Sequence, residues 1–288
     1  MKRYVDIFLQ LGKVRISSLA TVTMVAGYVL AHGSVTGALV VLTAGVFLLA
    51  CGASGLNQIQ ERDIDARMKR TMGRPIPAGV VSPRAAAITA VLCLVAGSSL
   101  IWVSSNTLAM MLGLLTVFWY NGVYTPLKRV TAFAAVPGGV VGAIPPVLGW
   151  VAGGGSVADP RILAVAVFLF MWQIPHFWLL MLFSAGDDYD RAGLPSLTRV
   201  FSYQQVARIS FMWILGTAIV CLVIPLYGII EQGWINVGLF AAGVWLVWRS
   251  TKILKVTRGV VTFRRAFGHV NAYALLVLSL LAIGAMLR

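Results

Sequence analysis

Stretches of about twenty apolar residues recur along the whole chain, separated by shorter polar segments. A helix of about 20 apolar residues is long enough to cross a hydrocarbon core about 30 Å thick. The pattern therefore predicts an all-α, polytopic membrane protein with nine transmembrane helices. The predicted spans are residues 16–31, 35–57, 84–104, 107–126, 131–152, 161–183, 206–227, 233–250 and 266–287.

The composition supports a membrane protein rather than a soluble one. The 288 residues are 59% hydrophobic and 11% charged, with a mean hydropathy of +0.87, and a soluble globule of this size needs more polar surface. We predict one transmembrane domain over 1–288, with an amphipathic interfacial segment at 1–15 and cytoplasmic cap loops at 58–83 and 184–205. The three cysteines fall inside predicted spans without a CxxC spacing, so neither a zinc site nor a disulfide framework is expected.

The net charge of +14 is explained by topology. With nine spans, all of the 23 Lys and Arg residues except Arg161 and Arg288 fall on one side of the membrane. The positive-inside rule then places the N-terminus in the cytoplasm, or in the matrix of an organelle, and the C-terminus outside. Because these cations are scattered among short loops, we expect the lipid bilayer as their partner and no nucleic acid.

The acidic residues are few and clustered. Six of the nine lie in two groups, one after the second predicted span and one after the sixth, on the same predicted side. In the first group, Asn57, Glu61 and Asp65 are spaced i, i+4 and i+8, so they line one face if the second helix continues to about residue 67. A row of carboxylates is costly without cations between them, and Mg²⁺ commonly bridges one or two carboxylates to a substrate's phosphates.

The second group is DDYD at 187–190, with Asp187 and Asp188 just past another apolar helix. Two acidic groups with interspersed Lys and Arg predict a site for a diphosphate held through metal. The alternative is a solvated helix end, in which the first group pairs with Arg and Lys residues of its own loop. A third polar segment, NGVYTPLKR at 121–129, adds Tyr124, Lys128 and Arg129, although its two cations could serve topology alone.

Two further candidates lie within the sixth span. His176 is an ionisable group at membrane depth, which is a functional hypothesis by default, although hydrogen bonding to a freed carbonyl or to Gln173 would also satisfy it. Trp172 and Trp178 lie on the same span and could contact an apolar or cationic substrate through their ring faces, although aromatic residues near membrane ends are often interfacial anchors.

Several segments resemble the intramembrane prenyltransferases of the UbiA superfamily, and in particular their protohaem IX farnesyltransferase branch. The segments are NQIQERDIDARMKRTMGRPIPAG at 57–79, YTPLKRVT at 124–131, GGVVGAIPPVLGW at 138–150 and FLFMWQIPHFWLLMLFSAGDDYDRAGLPSL at 168–197. WQIPHFW together with DDYDRAGLP is the most specific part. The resemblance implies nine helices around a central cavity capped by cytoplasmic loops.

The resemblance also implies residue roles. Metal-binding and catalytic roles fall on Asn57, Glu61, Asp65, Asp187 and Asp188, with Lys128 also catalytic, and substrate-binding roles on Arg70, Arg74 and Tyr124. Arg129 is a substrate-binding candidate from its place in the 121–129 segment alone. Two departures are present: Glu61 stands where the family more often has Asp, and the DxxxD spacing common in the second motif is absent, which leaves the role of Asp190 open.

The implied reaction is the Mg²⁺-dependent transfer of farnesyl from farnesyl diphosphate to a vinyl group of haem B, with addition of water, to give haem O. The implied setting is the bacterial cytoplasmic (inner) membrane, with haem A synthase as a possible protein partner. Two alternatives stay open at this point: a UbiA-type enzyme that prenylates an aromatic quinone precursor, and a transporter of an anionic metabolite. The transporter is favoured by the Gly- and Pro-rich segment PGGVVGAIPP at 137–146, which predicts a broken fifth span.

Overall fold

The computed structural model describes residues 2–255 and 259–288. Within these ranges every regular element is helical, and nine helices are long and apolar enough to cross a membrane. The prediction of an all-α polytopic membrane protein with nine spans is thereby confirmed. The orientation of the termini stays a prediction, and one of the cations behind it, Arg258, lies outside the described residues.

The helix bounds agree closely with the hydropathy pattern. The α-helices are α1 Lys2–Leu11, α2 Val14–His32, α3 Gly37–Gln60, α4 Arg62–Asp65, α5 Pro83–Ser104, α6 Thr107–Phe118, α7 Thr125–Leu127, α8 Ala135–Ala152, α9 Pro160–Leu180, α10 Gly186–Ala192, α11 Leu197–Val200, α12 Tyr203–Val223, α13 Gly233–Ser250 and α14 Val260–Met286. π-Helical turns at Trp119–Tyr124 and Met181–Ala185 extend α6 and α9, and 3₁₀ turns follow α12 and α13.

The largest differences from the predicted spans are at two helix starts. The fifth span begins at Ala135 rather than 131, and the ninth begins at Val260 rather than 266. The ninth starts earlier because Arg264 and Arg265 are exposed helical residues that interrupt the apolar run without ending the helix. Hydropathy detects the apolar part of such a helix and misses its polar first turns.

Local polar signals fix the starts of several spans. The Ser82 hydroxyl accepts from the backbone N–H of Ala85 at the start of α5, and Pro83 occupies the first helical position. At α12, Ser202 and Gln205 form a complete capping box. Each cap satisfies a backbone N–H that has no partner inside its helix.

Helices α2 and α8 cross at very close range. A Cβ added to Gly149 would lie 1.9 Å from the carbonyl oxygen of Met24, and one added to Gly27 would lie 2.0 Å from that of Pro146. Small residues at such crossings let two membrane helices pack backbone against backbone. Helix α8 also runs unbroken through Pro145 and Pro146, so the prediction of a broken fifth span, on which the transporter alternative depended, is wrong.

Candidate active site

The first acidic motif (residues 57–65) lies where α3 ends. The predicted continuous helix to residue 67 is wrong in detail, because α3 ends at Gln60, Glu61 departs from helical geometry (φ −100°, ψ 7°), and α4 ends at Asp65. The register survives the break, since the Glu61 N–H donates to the Asn57 carbonyl at 2.9 Å and the Asp65 N–H donates to the Glu61 carbonyl at 2.7 Å. Asn57, Glu61 and Asp65 are therefore all buried on one side, at 0%, 7% and 2% exposure.

Each buried carboxylate of this motif has its own cation. Glu61 forms an ion pair with Lys128, and Asp65 Oδ2 lies 2.6 Å from Arg74 Nη1. Burial alone would raise the pKa of Glu61, but the charges of Lys128 and Lys13 outweigh it and hold that pKa below its ordinary value. Both carboxylates are therefore compensated inside the protein, where an unpaired charge would be costly.

Asp63 faces outward, as its helical position predicts. Its Oδ1 accepts from Arg129 Nη2 at 3.0 Å, and the Arg67 guanidinium lies 3.9 Å from Oδ2. The hydrogen bonds from Arg129 lower the pKa of Asp63. The alternative of a solvated, ion-paired helix end thus describes Asp63 and Arg67. Asp65 also pairs with a cation of its own loop, Arg74, but both it and Glu61 are buried rather than solvated.

Lys13 lies at the junction of α1 and α2. The sequence indicates for it only the role of a positive charge that sets the membrane topology. Its Nζ donates to Asn57 Oδ1 at 2.5 Å and lies 3.4 Å from the Tyr120 hydroxyl, while Asn57 Nδ2 donates to Thr125 Oγ1 at 2.9 Å. Burial, with the charges of Arg74 and Lys128, lowers the pKa of Lys13 to about 7. The one feature of the sequence that could have indicated a role in the site is the position of this lysine, directly after Gly12 and between two helical segments.

The second acidic motif (residues 187–190) contacts the first loop through the backbone. Buried Asp188 accepts from the N–H groups of Lys69 at 3.0 Å and Arg70 at 3.2 Å. Asp188 thus joins the second acidic motif to the loop that follows the first one. The predicted convergence of the two sets of carboxylates stays a prediction. The Arg70 side chain itself is exposed.

The predicted five-residue metal set is not assembled as one cluster. Among the described residues, no group of three or more His, Cys, Asp or Glu side chains is arranged to hold a metal ion. Asp187 is exposed and lines a separate cavity beside Tyr203 and Phe263, and Asp190 pairs with Arg199 at 2.6 Å. The reason is geometric: successive residues of α10 point in different directions, so only Asp188 faces the first loop.

An open apolar cavity lies among α2, α3, α6, α8 and α9. Its empty volume is about 960 Å³, including the space at its open mouth. Tyr120, Tyr124 and Phe177 form its aromatic wall. Polar side chains also line it, namely Ser17, Ser54, Thr116 and Gln173. Lys128 Nζ lies 5.0 Å from the centroid of the Tyr124 ring. The ion-paired first motif therefore lies next to the aromatic end of an apolar cavity.

The candidates on α9 lie on two faces of that helix. Gln173 and Phe177 line the cavity. His176 Nδ1 instead lies 2.6 Å from Asn271 Oδ1 of α14, and the Trp172 indole donates to the Val270 carbonyl at 3.1 Å. Side chains one residue apart on a helix point about 100° from each other, which is why the WQIPHFW motif divides in this way.

Trp178 belongs to the core. It is 2% exposed and meets Trp213 of α12 edge to face, with ring centroids 6.0 Å apart. This placement argues against the substrate contact that the sequence predicted, because a side chain enclosed by packed neighbours cannot reach a ligand without moving them.

Comparisons with known proteins agree with this architecture. The model of the UbiA prenyltransferase family matches residues 20–271. The protoheme IX farnesyltransferase of Oleidesulfovibrio alaskensis is 35% identical over 239 residues, which cover 81% of this chain and 82% of that protein. The protoheme IX farnesyltransferase of Parvibaculum lavamentivorans is 36% identical over 287 residues, covering 97% of this chain and 89% of that protein.

A solved structure of a UbiA homologue from Archaeoglobus fulgidus, bound to GPP and Mg²⁺, superposes with a TM-score of 0.68 at 16% identity, covering 95% of this chain and 99% of that one. At this identity the likeness concerns the fold alone. The sequence relatives carry the assignment further, since they match most of the chain at more than 30% identity. The chain belongs to the UbiA prenyltransferase family of integral, multi-pass membrane proteins.

Proposed function

We propose that this protein transfers a farnesyl group from farnesyl diphosphate to a vinyl group of haem B, with addition of water, to give haem O. The observation that carries the proposal is the pairing of two buried, individually compensated carboxylates, Glu61 and Asp65, with the adjoining apolar cavity. Such a site suits a substrate with a highly charged head and an apolar tail. The acceptor is proposed from the name shared by relatives at 35% and 36% identity.

The donor set at the first motif fits Mg²⁺. Asn57 offers an amide oxygen, and Glu61 and Asp65 offer buried carboxylate oxygens. Mg²⁺ commonly binds one or two protein carboxylates and completes its shell with water and substrate phosphates, so these three residues suffice as protein ligands. Bound there, the ion would supply Lewis-acid neutralisation of diphosphate charge. Asp188 would support the site through the loop that it holds, and Asp187 would join only if α10 moved.

The cations of the site would change partners when substrate binds. Lys128 and Arg74 now neutralise Glu61 and Asp65. With a metal ion held by Glu61 and Asp65, both cations would be free to bind diphosphate oxygens, and Lys128 would stabilise the charge that builds on the leaving group. Arg70 and Arg129, which are more exposed, would contact the diphosphate from the loop side.

The cavity would protect the allylic cation formed when the C–O bond breaks. Its apolar wall limits early capture of the cation by water. The ring faces of Tyr120, Tyr124 and Phe177 can stabilise a cation by about 0.5–2 kcal/mol each. Trp172 and His176 would contact the haem acceptor from the side of α14. The product would then pass to haem A synthase in the bacterial cytoplasmic membrane.

The test is anaerobic incubation of the purified protein with haem B, farnesyl diphosphate and Mg²⁺, followed by chromatography. A more hydrophobic haem is expected, heavier than haem B by one farnesyl group and one hydroxyl group, with diphosphate and a proton released. Its formation should stop when Mg²⁺ is chelated and resume when it is returned. The variant Asp65→Asn should fold and give no product. Prenylation of an aromatic acid in place of haem would overturn the acceptor assignment and favour the quinone-precursor alternative.

A further inference from the structure

Lys13 is a cation that the reaction described above does not use, although it lies inside the site. Its Nζ contacts Asn57 Oδ1 and lies near the Tyr120 hydroxyl. Asn57 belongs to the first acidic motif and Tyr120 to the wall of the cavity. Lys13 thus lies where the charged and apolar parts of the site meet.

The placement of Lys13 is fixed by contacts on both sides of it. Gln58 of α3 donates to the carbonyls of Gln10 and Leu11 at 2.7 and 3.0 Å, and the Ser17 hydroxyl donates to the Gly12 carbonyl at 2.6 Å. Lys13 itself has a left-handed backbone (φ 45°), the only non-glycine residue with positive φ in the described ranges. That conformation is unfavourable for a residue with a side chain and persists only where surrounding contacts hold it.

The charge of Lys13 has no counter-ion of its own. Lys128 and Arg74 each form an ion pair with a carboxylate, whereas both side-chain partners of Lys13 in the described structure are neutral oxygen atoms. When Lys13 is protonated, the five neighbouring charges of Lys13, Lys128, Arg74, Glu61 and Asp65 therefore leave one positive charge in excess. A half-buried ammonium without a counter-ion is costly, and an anion bound beside it would remove that cost.

Resting on the proposed diphosphate donor, we propose that Lys13 is a third diphosphate-binding cation, which donates to the phosphate oxygens on the cavity side of Asn57. There it would stabilise the electron pair that passes to the diphosphate oxygen as the allylic C–O bond breaks. No proton passes to the substrate: the bound anion favours the charged form of Lys13, and the ammonium acts as a hydrogen-bond donor. Lys128 and Arg74 would hold the same anion from the side of the loops.

The experiment measures binding of inorganic pyrophosphate with Mg²⁺ to the purified protein by calorimetry, without haem or an isoprenoid. Lys13→Gln keeps a donor for Asn57 but removes the charge, and Lys13→Arg keeps the charge. We expect Lys13→Gln to weaken pyrophosphate binding about 10- to 100-fold, as for loss of a charge-assisted hydrogen bond, and Lys13→Arg to restore most of it. Arg15→Gln, an exposed cation two residues away, is the matched control and should bind as the wild type does.

Thermal unfolding separates this role from a structural one. Removing an unpaired charge should leave the midpoint of ligand-free Lys13→Gln unchanged or higher, while pyrophosphate and Mg²⁺ should no longer raise it as they do in the wild type. Wild-type affinity for pyrophosphate in Lys13→Gln would overturn the inference and leave the proposed function standing. Failure of the wild type itself to bind pyrophosphate would overturn both.

Discussion

Glu61 and Lys128 form an ion pair that joins the end of α3 to the segment after α7. Both side chains are largely buried, with 9% and 13% of their surface exposed. A candidate metal ligand is thus neutralised, in the absence of substrate, by a candidate diphosphate-binding cation. The same two charges can be compensated with and without ligand, which explains how so polar a site is stable beside an apolar cavity.

Lys128→Met should affect both catalysis and stability. Loss of the leaving-group cation is expected to lower kcat about 10²–10³-fold, by analogy with removal of one preorganised donor. It also leaves Glu61 buried without its main partner, so the free energy of unfolding should fall, and the double variant Glu61→Gln/Lys128→Met should recover part of it. Single-turnover kinetics and denaturation of the three variants test this.

Lys252→Met is the control for Lys128→Met, because Lys252 is an exposed lysine beyond α13. It should retain wild-type kcat and stability. Equal losses in the Lys252 and Lys128 variants would show that a lost surface charge, rather than the ion pair with Glu61, causes the effect.

Asp188→Asn should loosen the loop over residues 66–82. The carboxylate accepts two backbone N–H groups of that loop, and hydrogen bonds to a charged group are worth about 1.5–3 kcal/mol each. The variant is expected to show faster amide exchange and easier proteolysis in this loop, together with loss of turnover. Hydrogen-exchange mass spectrometry in detergent measures the first effect directly.

Asp187→Asn removes the neighbouring carboxylate, which is exposed and faces a separate cavity. Amide exchange of the loop should stay as in the wild type. If exchange at 66–82 rose equally in both variants, the loop would not depend on the contacts of Asp188.

The sequence predicts most of this fold, for a clear physical reason. Each span must satisfy its backbone hydrogen bonds within lipid, so an apolar run of sufficient length has helix as its main solution. The same logic fails locally at Glu61, because nothing in the i, i+4 spacing encodes the break between α3 and α4. It fails again at Pro145 and Pro146, where α8 continues as one helix through both prolines while it packs closely against α2.

The candidate site is only partly predictable from the sequence. The spacing of Asn57, Glu61 and Asp65 correctly groups them on one buried face. Lys13 joins them through a contact across 44 residues, which no local pattern contains. Likewise, the side of α9 that meets the cavity depends on how that helix is rotated against α8 and α14. The sequence therefore cannot show which of its neighbouring aromatic residues line the cavity.

Acidification should destabilise the protein partly through Glu61. Its pKa in the folded protein is lowered from the ordinary value of 4.5, so its stabilising contribution is complete above about pH 4.5 and is lost as the pH falls through the folded-state pKa. Glu61→Gln should have a lower unfolding midpoint at pH 7 but a shallower decline toward acid than the wild type. Thermal unfolding from about pH 7 to well below pH 4.5 measures both slopes, and parallel curves would argue against an ionised Glu61 in the fold.

Gly149→Ala should destabilise the bundle, because its new methyl group would lie 1.9 Å from the Met24 carbonyl oxygen and force α2 and α8 apart. Overpacking of this kind costs about 1–3 kcal/mol, and more where backbone rather than a flexible side chain must move. Gly268→Ala on α14 makes the same chemical change at a position where no side chain or neighbouring helix lies within 4 Å of the new group. There the higher helix propensity of alanine should leave stability unchanged or raise it by up to about 1 kcal/mol. Unfolding of the two variants side by side in one detergent isolates the effect of close packing, and a Gly149→Ala protein as stable as Gly268→Ala would mean that α2 and α8 do not need their backbone contact.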